Sequence, residues 1–508
     1  MKNKMKNKLM RKLLLLVTIL AASMVCFESC SSCHHKKTMS MIPDDAAMVI
    51  VINMDEIWDK GDFKHIDQLG FVQSLRKELK NENPDAAKIV NDLLEDPKSC
   101  GLNLKGDIVF FISSNNTAFG CQVRSSSKFK KFLENLDKNT DIGFDISKEN
   151  DYNLAFSKDA NLAFCWDGSK AYSFPSPSEK KAVKQADNLM SIKKDNSMAK
   201  NEHFKEFMKN AGDIGVFMNF ENLMHITRRD LEEVKDQIKP LKEASCYLSL
   251  NFEEGDIKVQ CKVLGLEEGK YGLLNDNFNA KLTNYLPEQA FAAGALAVNI
   301  STILKNNKAP ELDDEIVYGG YSTREVLKSF KGSIAASISS ISFDYYGNPI
   351  PMFTIVADVS NKDVISQTLI DLSSNNRIKY DGNNYYINMD GNNVVIKLED
   401  NILMASNDPS AIDALSNGGN SKGIKKIASE AKNGNYVYLD LDIDDYPSSL
   451  KNMIDRNLVK IISGLFEKAE LKFPEPYTME FTISLQNKSE NSLKHILKHI
   501  DDNLGDLR

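Results

Sequence analysis

Residues 42–58 read IPDDAAMVIVINMDEIW, and residues 286–304 read LPEQAFAAGALAVNISTIL. Each has an aliphatic residue and a proline, an acid, an alanine, an apolar run, an asparagine and then a helix-like start. The match continues downstream in the same order. LKGDIVFFISS (104–114) pairs with FKGSIAASISS (330–340), and AFGCQVRSSSKFKKFLENL (118–136) with MFTIVADVSNKDVISQTLIDL (352–372). NLAFSKDANLAFCWDGSKAYSF (153–174) pairs with NNVVIKLEDNILMASN (392–407), and FKEFMKNAGDIGVFMNFENL (204–223) with IKKIASEAKNGNYVYLDLDI (424–443). Self-similarity in conserved order is the signature of a tandem duplication. It predicts two similar lobes, at 42–270 and 280–508, joined near the turn-rich stretch 265–285.

Periodicity sets the class of each lobe. Residues 47–52 and 106–112 run or alternate apolar with β-branched types, so they read as strands. Residues 70–79 and 85–96 carry apolar side chains at i, i+3 and i+4 and read as helices, and 221–243 reads as a long amphipathic helix with Pro240 near its end. Stretches 193–202 and 417–423 read as connections. Strands follow one another as hairpins rather than alternating with helices. That argues for α+β, with mainly antiparallel sheets flanked by helices.

The chain has 508 residues, too many for one ordinary core, with 42% hydrophobic and 26% charged residues, as a globular protein has. Its start is different. Lys2, Lys4, Lys6, Lys8, Arg11 and Lys12 precede an apolar run from Leu13 to Phe27, the pattern of a secretory signal peptide over residues 1–29. Directly beyond lies Cys30-Ser31-Ser32-Cys33-His34. A c-type haem needs a folded pocket around such a motif, and a structural zinc site needs ligand pairs across a folded unit. Neither suits a polar tail beside the apolar run. A lipidated Cys30 after Ser29 suits it best, with Cys33 as the second choice, and residues 30–41 then form a tether. Cys26 is a weaker alternative, and the main rival is plain cleavage after Ala21-Ala22-Ser23. Without residues 1–29 the chain holds 57 basic against 70 acidic residues, a net −13. That balance disfavours nucleic acid as a partner.

Five further cysteines follow, and free buried thiols are the ordinary state for them. Cys246 and Cys261 fall on one face of the hairpin 245–264, opposite or diagonal, which leaves a disulfide open to them. Asn53, Asn219, Asn299 and Asp440 each end a strand just before a polar or acidic residue. These residue types accept from the unpaired N–H groups that open a helix, so all four read as caps. Asp440, Asp442 and Asp444 have calcium-loop spacing, but Asp445 and Lys451 stand where such a loop needs Gly and Glu. His495 and His499 lie one helical turn apart without a third ligand. No nucleophile elbow, P-loop or dinucleotide fingerprint occurs. The residues therefore specify no cofactor, no metal and no catalytic group.

The opening IPDDA…VINMDEIW, the KGDI strand, the duplicated plan and the lipoprotein start resemble a family of uncharacterised Bacteroidota envelope lipoproteins, a domain of unknown function. That resemblance implies a protein anchored to the outer membrane by its N-terminal lipid. It also implies the periplasmic face, because Ser31 to Lys36 lack the acids that surface export favours in such proteins. It brings no catalytic residues. Three functions follow as expectations: a non-enzymatic binding or assembly protein with an envelope protein partner, a cell-wall or glycan hydrolase using scattered carboxylates, and a carrier of small apolar ligands.

Overall fold

The computed structural model describes residues 37–140, 142–226, 239–267, 272–275, 277–287, 290–306, 316–317, 320–344, 347–389, 392–409, 411–412, 430, 435–446, 451, 459 and 462–504. Cys30, Cys33, the expected signal peptide over residues 1–29 and the expected connection 417–423 lie outside them. The chain divides into two compact units. One takes the described residues up to Gly265 and again from Asn487 onward; the other is Leu266–Gln486. Both are α+β.

The first unit is built on ten strands: β1 (Met48–Asn53), β2 (Asp107–Ile112), β3 (Thr117–Gln122), β4 (Phe144–Glu149), β5 (Tyr152–Ser157), β6 (Leu162–Trp166), β7 (Lys170–Pro175), β8 (Ile214–Asn219), β9 (Ser245–Phe252) and β10 (Asp256–Leu264). Every pairing is antiparallel, in the order β4-β5-β6-β7-β3-β2-β1-β8-β9-β10. The helices are α1 (Met54–Lys60), α2 (Gly70–Glu82), α3 (Pro84–Glu95), α4 (Ser126–Thr140), α5 (Glu179–Met190), α6 (Glu202–Lys209) and α7 (Phe220–His225). Successive strand residues point to opposite faces, so one strand feeds two cores. Leu154 and Cys165 pack with Ala182, Ala186 and Phe204 from α5 and α6, whereas Ala155 and Trp166 pack with Val90 and Phe129 from α3 and α4. Phe129 meets Trp166 edge-on at 5.1 Å between centroids, a favoured aromatic geometry.

The second unit repeats the plan with β11 (Ala292–Ala297), the short pair β12 (Ile316–Val317) and β13 (Tyr321–Ser322), β14 (Phe330–Phe343), β15 (Pro349–Val359), β16 (Lys379–Tyr380), β17 (Tyr385–Met389), β18 (Asn392–Glu399), β19 (Ile402–Ser406), β20 (Tyr436–Asp440), β21 (Phe466–Glu475) and β22 (Thr478–Leu485). Its sheet order is β16-β17-β18-β19-β15-β14-β11-β20-β21-β22, again antiparallel throughout. Strand for strand this is the order of the first unit. Its helices among the described residues include α8 (Ile300–Asn306), α9 (Thr323–Lys328) and α10 (Lys362–Ser374). One local difference matters. β1 ends on Asn53 itself, while Val298 separates β11 from Asn299. The Val298 N–H reaches the Gly332 carbonyl at 2.8 Å, and Gly332 sits at φ +106. A Cβ there would lie 2.1 Å from the Val298 oxygen, so this bulge requires glycine.

The final helix, α11 (Ser492–Leu504), belongs to the first unit, although sequence periodicity assigns everything after 280 to the second. Polar anchors hold it there. Asn491 Nδ2 donates to Phe252 O at 2.8 Å, Lys494 pairs with Asp62 at 2.8 Å, and Asp501 accepts from the first N–H groups of α2. The helix expected to run unbroken over 221–243 is interrupted at Ile226. α7 stops at His225 because Ile226 turns extended (φ −73, ψ 117), and Lys239–Leu241 form only a 3-10 turn at Pro240. Residues 227–238 lie outside the described set.

Candidate functional site

A pocket of about 600 Å³ opens in the second unit. Asn275, Asn299, Ile300, Ser301, Leu304, Lys305, Arg324, Lys328, Phe330 and Lys331 line it. Local sequence explains its walls. Asn299 caps α8: its Oδ1 accepts from Thr302 N at 3.0 Å and from Ser301 Oγ at 2.8 Å. Ser301, Leu304 and Lys305 then share one helix face at i, i+3 and i+4. The second wall is α9, opened by a capping box in which Ser322 Oγ accepts from Glu325 N at 3.2 Å and Ser322 N donates to Glu325 Oε2 at 2.8 Å. That places Arg324 and Lys328 on one face at i, i+4. Arg324 Nη1 donates to Leu304 O at 2.8 Å, satisfying a carbonyl that the last turn of α8 leaves over and tying the two walls together.

The electrostatics are one-sided. Among the described residues, four cations line the pocket and no carboxylate does. Two nearby described acids have partners of their own, and one of them holds a lining cation. Glu325 is held below its usual range, first by the Ser322 backbone N–H and then by the Ser322 hydroxyl. Asp358, buried, takes Lys331 at 3.1 Å and Asn279 Nδ2 at 2.9 Å. Lys305 and Lys328 are exposed, and among the described residues neither has an ion-pair partner.

The first unit handles the same place differently. Two residues after its cap, α1 carries Asp55, which pairs with the buried Lys105 at 3.2 Å. Lys60 takes Asp213 at 2.7 Å and Glu56 at 3.5 Å. In the second unit the residues at the Asp55 and Glu56 positions are Ser301 and Thr302. Two carboxylates of the first unit thus have uncharged counterparts in the second. The difference is legible in the paired stretches, MDEIW against ISTIL, where the halves part company just after the shared asparagine.

The residues singled out from sequence do not converge. Asn53 Oδ1 accepts from Glu56 N at 3.4 Å and Asn219 Oδ1 from Asn222 N at 2.9 Å, each at the start of a helix. Asn299 alone of the group also lines the pocket. Asp440 accepts from Asp442 N at 2.9 Å, and it is Asp442 that caps the following 3-10 turn through Asp444 N at 3.1 Å. Asp444 in turn accepts from Ser463 Oγ at 2.6 Å. The D-x-D-x-D run is thus a chain of turns whose carboxylates are occupied. Among the described residues no group of three or more His, Cys, Asp or Glu is placed to hold a metal ion. His495 and His499 lie with ring centroids 6.1 Å apart, and His495 Nδ1 meets Glu490 at 3.1 Å. Cys246 stands opposite Val263 and Cys261 opposite Leu248, so the two are diagonal, a spacing of about 7–8 Å that exceeds disulfide reach; both thiols are free.

This is an α+β protein whose second unit holds a pocket lined by Lys305, Arg324, Lys328 and Lys331. The chain belongs to the family described as Domain of unknown function (DUF4836), which matches it over residues 39–493. No curated protein matches it. A solved structure, "Structure of crystal form I of TP0453", is similar over 47% of this chain and 80% of its own, at 10% identity and a TM-score of 0.25, too low for the likeness to bear on function.

Proposed function

We propose that this protein is a non-enzymatic binding lipoprotein, anchored at the outer membrane through a lipidated Cys30, facing the periplasm and binding an anionic ligand in the second unit. The observation that carries the binding role is the pocket itself: Lys305, Arg324, Lys328 and Lys331 around a cavity that, among the described residues, no carboxylate lines. A hydrolase working through paired carboxylates finds no such pair in that lining. The anchoring rests on the basic and apolar start before Ser29-Cys30 and on the family resemblance. Two measurements test the proposal. Titration calorimetry with glycerol 3-phosphate should give binding that weakens as salt rises and is lost in Lys305→Glu/Lys328→Glu; absence of binding at low salt overturns the anion role. Metabolic labelling with palmitate should mark the protein and fail in Cys30→Ala. Label that persists there but vanishes in Cys33→Ala moves the anchor, and an unlabelled wild type removes it.

A further inference from the structure

The described chain begins at Lys37, and the next residue is already locked into the first unit. Thr38 is 1% exposed and donates its hydroxyl to Asp107 Oδ2 at 2.8 Å. Met41 and Ile42 join the core that α5 covers, and Tyr172 Oη donates to Met41 O at 2.7 Å. Lys37 lies only seven residues after Cys30, a span of at most about 25 Å at roughly 3.5 Å per residue. The surroundings of that entry are basic. Asp107 opens β2 and Lys170 opens β7, with β3 between the two strands, so these residues stand two strand spacings, about 10 Å, apart. Lys170 Nζ donates to Leu189 O at 3.2 Å and to Ile192 O at 2.8 Å, which brings the C-terminal end of α5 to the same end of the sheet. Residues 179–200 carry six lysines against three acids. Ala182, Ala186 and Leu189 face the core, Lys180 and Lys184 stand on the outer side of α5, and Lys193 and Lys194 are exposed just beyond it. Among the described residues none of these four lysines has an ion-pair partner. Of the acids, Asp187 accepts from Tyr152 Oη at 2.8 Å and Asp195 meets Lys200 at 3.8 Å; Glu179 and the neighbouring Asp44 are exposed.

Resting on the lipid-anchor reading, we infer that the face formed by Lys180, Lys184, Lys193 and Lys194 docks on the anionic headgroups of the bilayer that holds the anchor. Two observations choose this occupant. The first is sign: the face is positive on a chain that is net −13 without residues 1–29, so an anionic surface attracts this side and repels the rest, which sets the orientation of the first unit. The second is reach. Attraction to a charged bilayer fades within a Debye length, about 8 Å at physiological salt, so a surface lysine gains from it only when held close. The short link from Cys30 to the buried Thr38 holds these four close. Each lysine adds little, and a single lipid signal anchors weakly; together a chain and a basic face hold firmly. An acidic protein would match the charge but would give no reason for its place beside the tether.

The test uses residues 30–508 with Cys30→Ala, which keeps every described residue and carries no acyl group. The protein is sedimented with vesicles of phosphatidylcholine and phosphatidylglycerol in equal parts, and with vesicles of phosphatidylcholine alone. It should bind the mixed vesicles, release as salt rises, and stay off phosphatidylcholine. Lys180→Glu/Lys184→Glu/Lys193→Glu/Lys194→Glu should lower binding about tenfold or more. Lys77→Glu/Lys80→Glu/Lys131→Glu/Lys138→Glu makes the same change in net charge on exposed positions of α2 and α4, which pack on the other core, and should lower it far less. Urea midpoints check that both variants fold, and the milder Lys193→Gln/Lys194→Gln should weaken binding in the same direction. No binding to the mixed vesicles overturns the inference. So does equal loss from the two sets of four, which makes net charge rather than this face the cause, and so does equal binding to phosphatidylcholine. Palmitate labelling reads the anchor separately: vesicle binding lost with the label present removes the face and leaves the anchor, and the converse result removes the anchor alone.

Discussion

Asp501 accepts hydrogen bonds from the backbone N–H groups of Gly70 at 2.9 Å and Phe71 at 2.8 Å, so a carboxylate near the C-terminus caps the helix α2 that begins 431 residues earlier. The preceding residue, Leu69, offers no side-chain cap of its own. The Asp501 carboxylate therefore satisfies two otherwise unpaired donors at the positive end of the helix. Asp501→Ala should lower the stability of the first unit by about 1–2 kcal/mol, within the range of lost caps. Urea unfolding measures it. Asp502→Ala, at an exposed neighbouring position, should stay within about 0.5 kcal/mol of wild type. Equal effects from the two would mean that α11 is not held by this cap.

The same helix makes the first unit sensitive to acid. For Glu490 burial is the largest single influence and acts upward, but hydrogen bonds from Lys498 at 3.0 Å and His495 at 3.1 Å together outweigh it and hold the carboxyl below its usual 4.5. Asp62 follows the same logic with Lys494 and His65, below its usual 3.8. A depressed carboxyl contributes stability that is complete above its unfolded value and is lost as pH falls through its folded one. Unfolding midpoints should therefore hold above about pH 4.5 and fall below it, and Glu490→Gln should flatten part of that acid limb. A limb unchanged in Glu490→Gln would show that the pair with Lys498 does not couple to folding. Solvent screening keeps the effect small.

How far the sequence discloses this fold depends on the range over which each feature acts. β1 and β2 follow from alternation alone, and the hairpin of β9 and β10 from its turn: Gly255 takes φ +69, the left-handed conformation that such a turn gives to glycine. The strand-ending asparagines are equally local, because capping is settled within three residues. The docking of α11 on the first unit is different. Its anchors, Asp62, Phe252 and the start of α2, lie hundreds of residues away, and nothing near 492–504 names them. The pocket stands between these cases. Each of its cations is ordinary in isolation; what distinguishes it is the carboxylate that the other half of the chain supplies at the matching position.

Thiol chemistry gives a third expectation. Burial pushes Cys100 up to about 11 and Cys246 up to about 11, and burial with the neighbouring Cys100 pushes Cys121 up to about 12. Only the thiolate reacts with disulfide and alkylating reagents. Native protein at pH 8 should label slowly at these three sites, with rates climbing as pH approaches their raised values, and urea should release them. Peptide mass spectrometry resolves each position. Mild oxidation should leave Cys246 and Cys261 unlinked, given their diagonal register; a recovered peptide joining them would mean that β10 pairs with β9 in another register.

The difference between the two units is itself testable by exchange. Asp55 and Ser301 occupy the same place, two residues after the capping asparagine of α1 and α8. Ser301→Asp puts a carboxylate in the first turn of α8, where the helix dipole welcomes it, so the fold should tolerate the change. It also puts a negative charge among Lys305, Lys328 and Lys331. Anion affinity should fall about tenfold, the effect of one favourable charge contact reversed at a partly exposed site. The reciprocal change, Asp55→Ser, strips the partner from Lys105, whose side chain is only 7% exposed. A buried ammonium without its carboxylate is costly, and because Asp55 is itself partly exposed the loss should be about 1–3 kcal/mol, below that of a fully buried pair. Asp55→Ser should therefore register in urea unfolding and leave anion binding untouched, while Ser301→Asp should do the opposite. If Ser301→Asp instead unfolds the second unit or leaves affinity intact, the missing carboxylate is not what opens this pocket to anions.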